Sequence, residues 1–474
     1  MFARFLVILS AVLAVLPISM DAFAVSPDEP ASTSEEQRQI ALTIYNEDLG
    51  LVKDVRRVKL KQGPFLMEFL DVAEKMDPTS VFLKSLTHPG QLSVLEQNYE
   101  FDLITPQRLL EKSVGRKVIL VDRIKETGVE QRTEATLLSV QSGTVYQVGE
   151  EIDMNPPGRP VLPSLPDGLH SQPTLVWLLE NRGEKHQTIE VSYLTRGISW
   201  KADYVAVIDQ EDRSMDLTCW VTIRNESGSS YKDARIKLIA GDVHQETEAP
   251  PRRVMMAMAE DKAAPEFKET PFFEYHLYTL DRPSTIKDSQ IKQMTLLSAT
   301  GTPVKKEYFY RAPRGFWGEK LADTQKDKAQ VELVFRNDQK SRLGVPLPKG
   351  KLRIYKADTD QTLQFIGEDS LDHTPKDEDV RVRVGKAFDV VVERSQTNFS
   401  RLSPTVLEES YEIRVSNHKN DAVTIFVEEN LEGDWQITKS SRDWVKKDAF
   451  TIRFEVRVQP GQVETVSYSS VSKR

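Results

Sequence analysis

The sequence predicts an all-β fold, a multi-domain antiparallel β-sandwich of the immunoglobulin-like kind. Apolar and polar residues alternate along many segments, as in 452–458, where every second side chain is apolar. This period of two is typical of half-buried strands. The strands follow one another through short polar turns and helical periodicity is rare, which together favour antiparallel sheets packed as sandwiches.

Residues 1–24 have the layout of a secretory signal peptide. A positive charge is followed by an apolar run over 5–18 and by a small-x-small cleavage site that ends at Ala24. The apolar run is too short to be a permanent membrane span, and no second run of this kind follows. We therefore expect a mature chain that begins at Val25, is exported and works in the periplasm or outside the cell.

The N-terminal part of the mature chain is predicted to be a disordered lead followed by a β domain. Residues 25–40 are polar and rich in Pro, Ser and Glu, a composition that favours disorder. Alternating segments over 41–153 indicate the β domain. Within it, three short strands over 114–152 are compatible with a small inserted β-barrel.

One short helix is expected in this domain. Thr105 suits the N-cap, Pro106 suits the first helical position, and Gly115 lies beyond the predicted end. The segment 154–173 contains six prolines and is predicted to be a linker or an extended crossing.

The rest of the chain is predicted to be a β-sandwich in two parts, 174–245 and 270–474. Between them, 246–269 is rich in Pro, Ala, Met and charge and is predicted to be a mobile loop that can dock a partner. A unit in which a strand ends in asparagine before a polar turn recurs four times, at Asn181, Asn225, Asn337 and Asn417. Asparagine suits a strand end because its side chain bonds nearby backbone groups.

Charge and cysteine content restrict the classes of function. The chain has 63 Lys and Arg against 72 Asp and Glu, a net charge of −9, so nucleic acid is not an expected partner. Its single cysteine, Cys219, cannot form an intrachain disulfide. Because Cys219 alternates with Leu217 and Val221, we expect it to point into a core.

No catalytic, metal-binding or cofactor-binding motif is present in the sequence. The seven histidines are scattered, and none lies at the spacing that a metal site imposes. We therefore assign no catalytic residue, no metal ligand and no cofactor.

One candidate surface comes from the segment around His276. On a strand, Glu274, His276 and Tyr278 would share one face, where a carboxylate beside an imidazole could act in acid–base chemistry. The alternative is a solvent-facing strand edge without chemistry.

Two further features have a functional and a structural interpretation. Trp200 and Tyr204 could line a sugar or peptide groove, or they could pack in the sandwich core. The acidic run over 367–379 could bind calcium, but its spacing is not that of an EF-hand, which favours a solvated hairpin loop.

Several strings along the chain resemble the bacterial family called domain of unknown function 4139 and its N-terminal companion segment. They are Leu42–Asn46, Ser192–Trp200, Tyr278–Pro283, Gly350–Tyr355 and Asn417–Lys419. The resemblance implies a secreted or envelope β-rich protein without an assigned reaction. Some relatives are named mucoidy inhibitor A, which implies an influence on exopolysaccharide production. Those relatives carry a coiled-coil insert where this chain has 114–152, and no catalytic residue is transferred.

Three functions follow as hypotheses. The first, which the sequence favours, is a non-enzymatic cell-envelope protein that binds another protein or a glycan, or has a structural role. The second is a hydrolase of envelope polymer, glycan or peptide, which would need two carboxylates across a cleft. The third is a regulator or inhibitor that affects exopolysaccharide production. The sequence leaves the partner and the oligomeric state open.

Overall fold

The computed structural model describes residues 30–123, 128–166, 168–241, 267–313 and 318–474. This part of the chain is almost entirely β-strand, which confirms the all-β prediction. The predicted signal peptide and residues 246–266 of the predicted mobile loop lie outside the described residues. The last three residues of that loop prediction, 267–269, begin a strand instead.

The strands, in chain order, are β1 (Ala31–Ser32), β2 (Gln37–Tyr45), β3 (Gly50–Lys59), β4 (Gly63–Phe69), β5 (Phe82–Ser85), β6 (Leu92–Glu100), β7 (Lys117–Arg123), β8 (Glu130–Ser139), β9 (Val145–Val148), β10 (Glu151–Asp153), β11 (Arg159–Val161), β12 (Thr174–Asn181), β13 (His186–Thr195), β14 (Ile198–Ile208), β15 (Ser214–Asn225), β16 (Tyr231–Ala240), β17 (Phe267–Phe272), β18 (Tyr275–Leu280), β19 (Ser284–Ile286), β20 (Gln290–Pro303), β21 (Lys305–Arg311), β22 (Gln325–Arg336), β23 (Gly350–Ala357), β24 (Leu363–Leu371), β25 (Asp379–Ser403), β26 (Val406–Asn417), β27 (Val423–Asn430), β28 (Asp434–Ser440), β29 (Trp444–Lys446), β30 (Thr451–Val458) and β31 (Val463–Lys473). A short helix, α1, spans Pro106–Glu111.

The chain divides into two compact units. The first contains residues 30–37, Arg56–Val72 and Leu83–Ile189, and the second contains Arg38–Val55, Ala73–Phe82 and Glu190–Arg474. Four of the five divisions fall within strands, namely β2, β3, β5 and β13. The units therefore do not follow the boundaries at 153 and 174 that composition predicts.

Two segments predicted to be irregular contribute strands. Of residues 25–40, which are predicted to be disordered, 25–29 lie outside the described residues, whereas β1 pairs in parallel with β4 and residues 37–40 begin β2. In the Pro-rich segment 154–173, β11 pairs with β7. Pairing of this kind uses backbone groups, so a polar or Pro-rich composition does not prevent it at a sheet edge.

The first unit contains a four-stranded sheet in the order β1-β4-β12-β6. Phe69 and Trp177 pack in its core with ring centroids 5.3 Å apart. The fully buried Arg56 donates to the carbonyls of Ser32 and Leu70, and its guanidinium lies 3.6 Å from the Phe69 ring centroid. These bonds and the ring contact compensate for the desolvation of the buried charge.

The inserted module over 114–152 is an open sheet and not a barrel. Its order is β10-β9-β8-β7-β11, and no ladder joins the two edge strands within the described part of the module. Strands β10 and β11 have only three residues each, too short to close a barrel. The predicted helix is confirmed as α1: the Thr105 hydroxyl accepts the backbone N–H of Arg108 at 3.1 Å, and Leu110 packs on the core of the sheet.

The second unit contains a sheet β17-β18-β16-β2-β3-β13 and a five-stranded sheet β20-β15-β14-β23-β24. Cys219 on β15 is fully buried, as predicted from its alternation with Leu217 and Val221. The pairs β14–β23 and β16–β2 are parallel, so the antiparallel pattern is not uniform.

A nine-stranded sheet in the order β28-β31-β26-β25-β22-β21-β27-β30-β29 completes the second unit. Residues from both halves of this sheet share one apolar core, so the sheet folds over itself as the two layers of a sandwich do. The 25-residue β25 pairs with β22 along its first part and with β26 along its second.

Four asparagines at the ends of β12, β15, β22 and β26 hold their turns together. They are the four residues at which the sequence predicts a repeated strand end, and all are at most 2% exposed. Each side-chain amide donates to a carbonyl of its own turn and to one from a second segment, and each amide oxygen accepts a backbone N–H of the turn. Each asparagine thus satisfies at least three backbone groups that the turn would otherwise leave unpaired.

Candidate functional site

Three of the five residues predicted to form a recognition surface lie in the core of the second unit. Trp200, Tyr204 and Tyr278 are at most 3% exposed. The Trp200 indole N–H donates to the carbonyl of Ile239 at 3.0 Å, and both tyrosine hydroxyls donate to carbonyls in the segment that joins β22 to β23. Because the strand period turns all three rings inward, they do not form a surface groove.

The carboxylate beside His276 belongs to Glu269 and not to Glu274. Glu274 is exposed in the turn between β17 and β18, so it does not share a strand face with His276. The His276 Nδ1 atom lies 2.8 Å from Glu269 Oε1, whose side chain is 9% exposed. The predicted pairing of an imidazole with a carboxylate is present, but the hairpin register supplies a partner from the neighbouring strand.

The best candidate site lies where the inner face of the nine-stranded sheet changes from apolar to polar. On three adjacent strands the inward residues run Val390, Val392, Arg394 and Gln396; then Val415, Ile413, Tyr411 and Glu409; then Val466, Tyr468, Ser470 and Ser472. The register places Gln396 opposite Tyr411, and Glu409 opposite Ser470. One end of this core is therefore lined by polar side chains.

A cavity of about 680 Å³ lies at this polar end. Its wall includes Arg394, Glu409, Tyr411, Glu432, Ser470 and Ser472. A volume of this size is within the range of small-molecule sites, which is about 300–1,000 Å³.

A buried ion pair adjoins the cavity. The Arg394 Nε and Nη2 atoms both lie 2.9 Å from Glu429 Oε2, and the two side chains are 8% and 0% exposed. Tyr468 donates its hydroxyl to the same carboxylate at 2.8 Å, and the Tyr411 ring lies 3.9 Å from the guanidinium carbon. Burial acts to lower the pKa of Arg394, but the Glu429 carboxylate outweighs burial and raises that pKa. Arg394 therefore stays charged, and Glu429 neutralises it.

Glu409 supplies a titratable carboxyl group to the cavity. It accepts hydrogen bonds from the Tyr411 hydroxyl at 3.0 Å and from the Gln396 amide at 2.9 Å. Burial raises the pKa of Glu409; the bond from Tyr411 opposes this rise and the Glu432 carboxylate adds to it. Burial, with the charge of Glu409, raises the pKa of Tyr411 to about 12, so the phenol remains a donor at neutral pH.

Two serines of β31 bring hydroxyl groups to the cavity. Ser470 and Ser472 are 2% and 5% exposed, and both line the cavity wall. Neither side chain makes a hydrogen bond with another group in the part of the chain that the structure describes. Because both residues line the cavity, their hydroxyl groups are available to a ligand or to water.

Neither a metal site nor a membrane-spanning helix is found among the described residues. Across the described ranges, no group of three or more His, Cys, Asp or Glu side chains is arranged to hold a metal ion. In the acidic run over 367–379, Asp369 accepts the backbone N–H of Arg383 at 2.7 Å, which favours the structural interpretation of that carboxylate. Among the same residues, no helix has the length and apolarity needed to cross a membrane.

The sequence did not predict the cavity residues, because none of them belongs to a recognisable motif by itself. The signal that could have found them is the loss of apolar character along an inward face, as in Val466, Tyr468, Ser470 and Ser472. Three strands carry this change, but only their pairing register shows that the three changes meet.

A comparison with protein families places this site within a known domain. The family model described as a domain of unknown function, DUF4139, matches residues 189–469, more than half of the chain. The match includes Arg394, Glu409 and Glu432, whereas Ser470 and Ser472 lie just beyond it. A search of curated proteins found no match. The predicted resemblance to this domain is confirmed over residues 189–469, and the chain belongs to the DUF4139 family.

Proposed function

We propose that this chain is an exported, non-enzymatic binding protein of the cell envelope that holds part of a glycan in the cavity of its nine-stranded sheet. One observation carries the proposal: polar side chains from three strands point inward and line a cavity of about 680 Å³. A core that only stabilised the fold would be filled by apolar side chains at native packing density.

The chemistry of the wall favours a ligand rich in hydroxyl groups. Glu409, Ser470 and Ser472 offer hydrogen-bonding oxygens, and the Tyr411 ring forms part of the wall with the Arg394 guanidinium against it. Phe450, 54% exposed, adds a second ring to the lining. Aromatic faces with polar groups beside them are suited to sugar rings, whose faces are apolar and whose edges are polar.

Filling the cavity should abolish glycan binding. Replacing Ser470 with leucine places an apolar side chain in the cavity, and we expect the affinity to fall by at least about tenfold, or 1.4 kcal/mol. The measurement is isothermal titration of the mature protein with glucan, chitin and chitosan hexasaccharides.

The matched control is Ser467→Leu, on the same strand but facing outward. It should leave the affinity unchanged, with circular dichroism showing that both variants are folded. If wild-type protein binds none of the glycans, or if Ser470→Leu binds as wild type does, the cavity is not a glycan site.

A hydrolase remains the second candidate because Glu409 and Glu432 line one cavity and burial raises the pKa of Glu409. A carboxyl group with a raised pKa beside a second carboxylate is the arrangement that glycosidases use. Mass spectrometry of the glycans after the titration separates the two: intact sugars support binding, and shortened sugars that disappear with Glu409→Gln support hydrolysis.

Export is a separate part of the proposal. It is supported by the signal-peptide layout of residues 1–24. In a bacterial host, the mature protein should begin at Val25 and be recovered from the periplasm or the medium. Intact-mass measurement of the recovered protein tests this, and a chain that keeps residues 1–24 in the cytoplasm would contradict it.

A further inference from the structure

We infer that the cavity recognises a sugar residue through a protonated amino group, so that its glycan is one containing free amino sugars. This inference rests on the proposed function. It follows from the charges around the cavity, from the neutralised state of its arginine and from two buried serines whose hydroxyl groups have no partner among the described residues.

Among the described residues that line the cavity, negative charges outnumber positive ones. Glu319, Glu409 and Glu432 supply three carboxyl groups, whereas Lys320 and Arg394 supply two cations. Arg394 is already held by Glu429, which is fully buried. The described part of the wall therefore has an excess of carboxylates, and a cationic ligand group would be attracted to it.

Arg394 is poorly placed to bind an anion. Its Nε and Nη2 atoms are both bonded to Glu429, and its Nη1 atom faces the Gln325 amide oxygen at 3.5 Å. An anionic ligand would have to compete with the Glu429 carboxylate for the guanidinium and would be repelled by Glu409 and Glu432. Acidic sugars are therefore disfavoured.

The two free serine hydroxyls supply the second observation that points to a ligand. Ser470 and Ser472 are at least nine-tenths buried and lie on the cavity wall without a partner in the described chain. Ser470 is paired in register with Glu409 across the two strands. A ligand amine at Glu409 would thus have hydroxyl groups beside it that can bond the neighbouring sugar hydroxyls.

Glu409 makes the recognition sensitive to pH. Burial raises its pKa, and the groups that face it are Arg394 and Gln396 on β25, Tyr411 on its own strand and Glu432. An ammonium group favours the ionised carboxylate, so binding should release a proton from Glu409. Affinity should therefore rise with pH through the pKa of Glu409, as long as the amine of the ligand keeps its proton.

In the experiment, the complete mature protein is titrated with three hexasaccharides. Chitosan carries free amines, chitin carries the same amines in acetylated form, and the third is a neutral glucan. We expect chitosan to bind at least about tenfold more tightly, since a charge-assisted hydrogen bond is roughly twice as strong as a neutral one. Glu409→Gln should remove that preference and the pH dependence. The control Glu408→Gln, one residue along β26 and on its opposite face, should change neither.

The outcomes separate the inference from the proposed function. Equal or tighter binding of chitin or glucan, lost in Ser470→Leu, would overturn the amine inference and leave glycan binding intact. Equally tight binding of spermidine, which has amines but no sugar, would also overturn the inference. Failure of all three glycans to bind would overturn both proposals.

Discussion

Replacing Glu429 with glutamine should lower the free energy of unfolding by about 3–5 kcal/mol, the cost of leaving a buried charge without its partner. The carboxylate is fully buried and receives bonds from the Arg394 guanidinium and from the Tyr468 hydroxyl. Glutamine has the shape of the glutamate side chain but no charge, so the Arg394 guanidinium would remain buried without a negative partner. Urea unfolding followed by tryptophan fluorescence measures the change.

Two variants control this experiment. Glu393→Gln removes the carboxylate of a partly exposed pair with Lys326, and it should cost less than about 1 kcal/mol. The double variant Arg394→Met, Glu429→Leu should be more stable than Glu429→Gln, because neither charge remains to be buried unpaired. A loss below about 1 kcal/mol in Glu429→Gln would mean that water reaches the pair and that it is not a buried one.

Replacing Asn417 with alanine should cost at least about 2 kcal/mol, since each buried backbone group left unpaired costs about 1–3 kcal/mol. The Asn417 amide donates to the carbonyls of Asp421 at 2.8 Å and Val458 at 3.2 Å, and its oxygen accepts the Lys419 backbone N–H at 3.0 Å. Alanine supplies none of these bonds. Thermal and urea unfolding of the purified variant measure the loss.

An exposed asparagine provides the comparison. Asn398→Ala lies on the neighbouring strand β25 and should change stability by less than about 0.5 kcal/mol. Asn417→Asp should be at least as harmful as alanine near neutral pH, because a carboxylate has no N–H to donate and faces carbonyl oxygens. Equal stability of Asn417→Ala and Asn398→Ala would show that the strand-end bonds contribute little.

Local patterns in the sequence predicted the structural features that depend on residues close together in the chain. Alternation identified the strands, Thr105 and Pro106 identified the start of α1, and the four strand-end asparagines were recognised from their turns. These features are predictable because the groups that interact lie within a few residues of one another.

The features that the sequence did not predict depend on which strands pair. The partner of His276 is Glu269, which is set by the hairpin register. The cavity exists because Glu409 meets Ser470, 61 positions apart in the chain and paired across β26 and β31. Trp200 was a candidate for ligand recognition because it is aromatic, but the direction of its side chain is set by the sheet that packs on β14. Register and layer order are properties of the whole fold, so local patterns do not specify them.

Chemical labelling of the single thiol can report on the opening of the folded protein. Cys219 is fully buried, and burial raises its pKa, so the folded chain presents almost no thiolate. An alkylating reagent can modify it only when the core around β15 opens, and the rate of labelling therefore reports the frequency of opening. In an oxidising compartment, burial of this thiol has a further result. Folded molecules form no intermolecular disulfide, and disulfide cross-links arise only between chains whose core has opened.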